Sequence, residues 1–186
     1  MILASASPRR AELLRAAGIA FEIHPAHVDE DVRDGESPEA YVLRVAEEKA
    51  RVVAARFPDR LVLAADTTVV LDQHILGKPC DDDDARRMLG ILSGRVHDVL
   101  SGVCIAGPAD SGHVDVRLAR TTVEFARLTA EEIRGYVKSG EPTDKAGAYA
   151  IQGFASRFVT RIEGSYSNVV GLPVALVYEM LRSIAR

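Results

Sequence analysis

Met1-Ile2-Leu3-Ala4 is an unbroken apolar run, and Ser5-Ala6-Ser7-Pro8-Arg9-Arg10 follows it directly. This pattern predicts a short buried strand that passes through a tight loop into a helix. Ser7 is placed as the N-cap and Pro8 as the first helical residue, where a missing N–H leaves no partner unsatisfied. Leu13, Leu14 and Ala17 then share one face, and Gly18 stops the helix. The same alternation of elements continues. Phe21-Glu22-Ile23 predicts a second strand, and Ser37-Pro38 opens a helix reaching about residue 57 with Val42, Val45, Ala46 and Val53 on its core face. Residues 61–71 predict a strand that turns near Asp72-Gln73, and residues 81–92 a helix ending at Ser93-Gly94. Residues 97–106 and 114–125 predict an antiparallel pair. Thr129 with Glu132 forms a capping box for a helix ending near Gly140. Residues 145–153 read as a glycine-rich loop, 158–162 as a strand and 173–184 as a closing helix. With no repeat or linker, residues 1–186 predict one domain of α/β layering around a mixed sheet.

Charged residues inside apolar segments change the picture. Asp66 ends the run Leu61-Val62-Leu63-Ala64-Ala65, and a carboxylate there is costly unless it is paired, metal-bound or exposed in a cleft. It is open to two readings, a turn cap or a functional acid. Lys49 falls on the apolar face of its helix, four residues from both Val45 and Val53; it either snorkels to water or meets an anion. The N-terminal loop aims helix N–H groups, two hydroxyls and two arginine forks at one spot, which suits a polyphosphate as well as an ordinary capped helix. Asp29-Glu30-Asp31 offers an arm for a divalent cation, or is a solvated acidic loop. Gly77-Lys78-Pro79 places a lysine in a rigid turn. Asp81 to Asp84 resembles a metal site in composition, but consecutive carboxylates at a helix start are favoured by the dipole.

Composition narrows the classes. The chain of 186 residues is 47% hydrophobic and 27% charged, as expected of a globular protein with a sizeable core. A net charge of −4 and the absence of tryptophan argue against a nucleic-acid binder. No stretch is long and apolar enough to predict a membrane span, and arginines follow the first apolar run where a signal peptide has them before it. Cys80 and Cys104 stand apart from any metal-type cluster; with no export signal, a cytoplasmic location is expected.

Ser5-Ala6-Ser7-Pro8-Arg9-Arg10, Glu30, Glu48-Lys49-Ala50, Ala65-Asp66-Thr67, Gly77-Lys78-Pro79, Leu92-Ser93-Gly94 with His97, Asp144-Lys145-Ala146-Gly147-Ala148-Tyr149 with Ile151-Gln152-Gly153, and residues 164–173 occur in this order. Together they resemble the Maf family over nearly the whole chain. The resemblance implies an elongated two-lobed fold akin to inosine triphosphate pyrophosphatases, with a central mixed twisted sheet flanked by helices and a cleft between the lobes. It implies a nucleoside triphosphate pyrophosphatase that cleaves the α–β phosphoanhydride to a monophosphate and pyrophosphate, in sanitation of the nucleotide pool. Lys145 to Tyr149 followed by Ile151-Gln152-Gly153 is similar to the dTTP/UTP branch, the glutamine amide suiting a pyrimidine edge with a carbonyl beside an N–H. The alternatives are the 7-methyl-GTP branch, and a nucleotide sensor acting in cell division without turnover. Asp66, Lys49 and Lys78 are then expected to be catalytic, and Ser5, Ser7, Arg9 and Arg10 to bind phosphate. Arg10, Thr67 and Gln152 are expected to select the base, and Glu30 and Asp66 to hold Mg²⁺, Mn²⁺ or Co²⁺. A homodimer with neither nucleic acid nor membrane as partner completes the expectation.

Overall fold

Period-two alternation along the strands sets the layers of the protein. The computed structural model describes residues 1–184. In chain order its elements are β1 (Ile2–Leu3), α1 (Pro8–Ala16), β2 (Glu22–Ile23), α2 (Pro38–Ala54), β3 (Val62–Leu71), β4 (His74–Leu76) and α3 (Asp82–Leu92). These are followed by β5 (Val96–Ala106), β6 (Val114–Phe125), α4 (Ala130–Lys138), β7 (Val159–Glu163), α5 (Tyr166–Val170) and α6 (Val174–Ile184). The strands form one mixed sheet of order β2-β1-β3-β5-β6-β7, with β4 paired to β3. β1 runs parallel to β2 and β3, whereas β4 on β3 and β7 on β6 are antiparallel. The chain divides into two compact units, the first made of residues 1–67, 101–119 and those from 171 on, the second of 68–100 and 120–170.

In the first unit, Leu3, Leu63, Ala65, Val103 and Ile105 pack against Ala11 and Leu14 of α1 and Val177 and Met180 of α6. The alternate residues Ile2, Ala4, Val62, Ala64, Cys104 and Ala106 pack against Ala46, Ala50 and Val53 of α2. Helices therefore cover both faces, which is why β3 is buried at nearly every position instead of at every second one. Gly102 brings α2 close: a Cβ built there would lie 2.0 Å from the Val42 carbonyl oxygen. α2 stops at Ala54 rather than near residue 57, because its end tightens into three-residue turns, Arg56 N–H on Val53 O and Phe57 N–H on Ala54 O.

In the second unit, α3 buries Ala85, Met88, Leu89 and Leu92, and α4 buries Tyr136 and Val137. Asp81 caps α3 by accepting from the Asp84 N–H at 2.8 Å, so the acidic run is a helix start, as expected. The capping box of Thr129 and Glu132 is formed. Asp72 and Gln73, both at positive φ, make the two-residue turn between β3 and β4. Residues 145–153 are not featureless loop: a 3-10 turn occupies 146–148, and Gly147 at φ 67 lies so close to Val69 that a Cβ would come within 2.8 Å of its side chain. Asn168, on the short α5 that sequence pattern did not indicate, donates from Nδ2 to Val99 O and Thr121 Oγ1.

Candidate functional site

Strand parity decides which helix each polar residue of the Ala65-Asp66-Thr67 segment meets. Asp66 shares the face of Val62 and Ala64, against α2. Thr67 shares the face of Leu63 and Ala65, against α1. An acid and a hydroxyl adjacent in sequence are thereby sent to opposite sides of the sheet.

On the α2 side, Lys49 Nζ donates to Asp66 Oδ1 at 2.8 Å and stands 2.9 Å from Glu30 Oε1. Lys49 and Asp66 are 7% and 6% exposed, so neither snorkels to water; their charges compensate each other. Glu30 comes from the loop before α2, and its side chain keeps 48% exposure. One buried acid, one buried ammonium and one open acid thus form a contiguous triad. Residues 28–31 lack regular structure yet are tied to α2: Tyr41 Oη donates to Glu30 O at 3.1 Å, and Arg44 Nη2 to Asp31 O at 2.9 Å. Burial, with Asp66 and Glu30 nearby, pushes the Tyr41 hydroxyl well above its ordinary pKa and keeps it a donor.

On the α1 side, Arg10 is locked from three directions. Nε donates to Gly171 O at 2.8 Å, Nη1 to Ser5 Oγ at 3.2 Å and Nη2 to Thr67 Oγ1 at 3.3 Å. Thr67 Oγ1 lies 2.7 Å from the Oγ of the fully buried Ser101 and donates to Gly171 O at 3.2 Å. Burial lowers the Arg10 pKa, while Asp66 and Glu30 act to raise it and Arg9 to lower it. The guanidinium stays charged, since an arginine's ordinary value is far above neutral pH. Ser7 stands at the N-cap of α1, but its hydroxyl makes no capping hydrogen bond, contrary to the expectation from sequence. Its own N–H donates to Ser5 Oγ at 3.2 Å, tying the loop to Ser5. Arg9 is half-buried in the first turn of α1.

The first unit therefore carries eight of the ten predicted residues: Ser5, Ser7, Arg9, Arg10, Glu30, Lys49, Asp66 and Thr67. Lys78 and Gln152 belong to the second unit and are exposed. There the Gly147 N–H donates to Gly77 O at 3.0 Å, joining the Lys78 turn to the segment that leads to Gln152. Tyr136 anchors that segment, donating to Glu141 Oε1 at 2.8 Å and accepting from the Ala150 N–H at 3.1 Å. Sequence reading missed Tyr41, Arg44, Ser101 and the Gly171 carbonyl. Tyr41 and Arg44 lie about two turns and about one and a half turns before Lys49 on the same helix, the only signal that could have raised them.

Among the described residues, no group of three or more His, Cys, Asp or Glu side chains is arranged to hold a metal ion. The two carboxylates on Lys49 still match what Mg²⁺ takes from protein, one or two carboxylates with the remaining places left to phosphate and water. Their sharing of one ammonium shows that the position between them favours a cation.

The fold is that of an α/β protein with a mixed sheet covered by helices, and solved structures share it. The Ham1 protein of Staphylococcus aureus superposes with a TM-score of 0.50 at 14% identity, covering 98% of this chain and 97% of that one. A HAM1 protein from Coxiella burnetii gives 0.50 and 14% over 98% of both chains. The family model described as Maf-like protein matches residues 1–184. The dTTP/UTP pyrophosphatase of Koribacter versatilis is 54% identical over 183 residues, 98% of this chain and 93% of the relative. That of Anaeromyxobacter dehalogenans strain 2CP-1 is 56% identical over 183 residues, 98% and 92%. The chain belongs to the Maf family.

Proposed function

We propose that this protein is a nucleoside triphosphate pyrophosphatase acting on dTTP and UTP. The observation that carries the reading is the pairing of two devices within one unit. A buried acid rests on a lysine beside an open acid, and an arginine locked by Ser5, Thr67 and the Gly171 carbonyl stands in the first turn of a helix. The name dTTP/UTP pyrophosphatase on relatives more than half identical over almost the whole chain supports the substrate class.

In this reading the phosphates lie along Ser5, Ser7, Arg9 and Arg10, whose N–H and O–H donors and positive charge match a polyanion. Lys49 adds charge and fixes one oxygen of Asp66. The second oxygen of Asp66 takes a proton from water as that water attacks the α-phosphorus, and pyrophosphate leaves. Fixed cations bear most of the acceleration, since phosphoryl transfer is chiefly a matter of position and charge. Glu30 and Asp66 would hold a divalent cation, which when bound neutralises phosphate charge. For Lys78 and Gln152 the proposed roles, added charge and base contact, rest on the family resemblance. The physiological setting we assign is the cytoplasm, where such triphosphates are made and used, and the assembly a homodimer, the commonest symmetric form.

A panel of natural triphosphates, assayed for pyrophosphate release with Mg²⁺ and with Mn²⁺, tests this. The expected result is release from dTTP and UTP above all others. Release of orthophosphate alone, or a preference for 7-methyl-GTP, sinks the reading, as does tight dTTP binding with no product.

A further inference from the structure

Glu30 presents a geometric problem. Its side chain is half open to solvent, and its backbone belongs to no helix or strand, yet its carboxylate meets Lys49 at 2.9 Å. Loops of this kind ordinarily wander. The answer lies one helical face away from Lys49. Arg44 Nε and Nη2 grip the two oxygens of Glu36 at 2.6 and 2.8 Å, and Nη1 reaches Glu48 Oε2 at 3.2 Å. Nη2 also donates to Asp31 O, one residue past Glu30. Glu36 Oε2 in turn accepts from the Arg33 N–H at 3.0 Å, and Arg33 Nη2 donates to Glu48 Oε1 at 2.9 Å. The arrangement is half-closed to solvent, with the Arg44 and Glu36 side chains 14% and 9% exposed, so salt and water weaken it less than a surface pair. It holds Glu36 down at about 2, chiefly through the Arg44 hydrogen bond.

We propose that Arg44 is a positioning residue for the candidate site: through Asp31 O and Glu36 it pins the loop so that Glu30 stands on Lys49 beside Asp66. The planar fork is what the place demands, since one side chain serves a carboxylate edge and a carbonyl together, which an ammonium cannot do with the same geometry. α2 then sets both ends of the Glu30–Lys49 pair, Lys49 directly and Glu30 by way of Arg44 and Tyr41. The proposal rests on the functional reading above in one respect, that this triad acts on substrate.

The test is a double-mutant cycle on the full-length protein. Pyrophosphate release from dTTP is measured for the wild type, Arg44→Ala, Glu30→Gln and the double variant, with hydrogen exchange of peptides covering residues 28–36. Arg44→Ala is expected to lower kcat about tenfold with KM within about threefold, as a small misplacement of a reacting group does. Added to Glu30→Gln it should cost less than about twofold, because the group it positions is gone. Exchange should rise over residues 28–36 and not elsewhere. A cost undiminished by Glu30→Gln, unchanged kcat, or full restoration by Arg44→Lys overturns the proposal. Should Arg44→Ala fail to fold, Tyr41→Phe removes the Glu30 O contact alone and is expected to lower kcat about threefold by the same logic; no change would count against it. If the wild type releases no pyrophosphate, the functional reading falls by itself. Exchange then decides for the pin: protection lost in residues 28–36 upholds it, and protection retained refutes it.

Discussion

In the first unit the buried Lys49 and Asp66 form a salt bridge beside the half-open Glu30; in the second, the buried His97 and Tyr149 meet as neutral groups. His97 is 3% exposed, and its Nε2 lies 2.8 Å from Tyr149 Oη, with the Phe125 ring edge-on to both. Its Nδ1 is buried with no hydrogen-bond partner among the described residues. Burial pushes the imidazole down to about 4 against the opposing pull of Asp98, and burial with Tyr136 nearby pushes the Tyr149 hydroxyl up, so neither ionises near neutral pH. The contrast teaches what buried charge requires. Where a partner of opposite sign stands within 3 Å, a buried charged pair is compensated; where burial outweighs the nearest charge, the group stays neutral and serves as an anchor. Tyr149 belongs to the segment that leads to Gln152, so the neutral pair braces a loop, whereas the salt-bridged triad keeps one acid open to solvent.

The comparison breaks most visibly at Asp66. Asp66→Asn keeps the shape and still accepts from Lys49, but removes the proton acceptor. Turnover should fall about 10³-fold while dTTP binding changes within about threefold, read as kcat against a calorimetric Kd. Equal loss in both would make Asp66 a binding group. Next in size is Gly102→Ala, whose Cβ would meet the Val42 carbonyl at 2.0 Å. Driving α2 from the sheet should cost about 3 kcal/mol in urea unfolding; a loss below about 1 kcal/mol would show that α2 is not held at that point.

The neutral pair predicts a pH dependence with a definite sign. As pH falls below 6.5 the unfolded chain protonates His97, whereas the folded protein resists until about 4. Stability should therefore decline across that window, by about 3 kcal/mol once pH is below 4. In His97→Gln the unfolding free energy should vary less between pH 7 and 4.5, and an unchanged slope would assign the effect elsewhere. Glu36 enters only at the acid end of this window, its stabilisation fading from 4.5 down toward 2. Smallest is Tyr149→Phe, which leaves His97 Nε2 without a partner as well as Nδ1. A loss of about 1 kcal/mol in thermal or urea unfolding is expected, and none at all would mean that the hydrogen bond does not brace the loop.

The layers of the first unit were legible because strand parity and helix spacing repeat over many residues. Val42, Val45, Ala46 and Val53 are buried along with Lys49, as their spacing on α2 predicts. The segment bearing Asp66 was legible for the opposite reason, as one charge breaking an apolar run. What escaped was any feature whose signal is a single contact. Ser7 carries the composition of an N-cap and stands at that position, but its hydroxyl makes no capping bond, and the helix starts at Pro8 without it. Arg44 looks like any polar helix residue until Glu36, Glu48 and Asp31 are seen around it.

Sequence by itself determined most of the element order, the placing of Lys49 and Asp66 inside apolar segments and the resemblance to the family, because periodicity and motif order are properties of the chain alone. Tertiary structure alone decided that Asp66 meets α2 while Thr67 meets α1, that Gly171 and Ser101 close around Arg10 and its partner Thr67, and that Arg44 reaches the Glu30 loop. Those partners are distant along the chain or differ by one step of strand parity, and only packing brings each within hydrogen-bonding range.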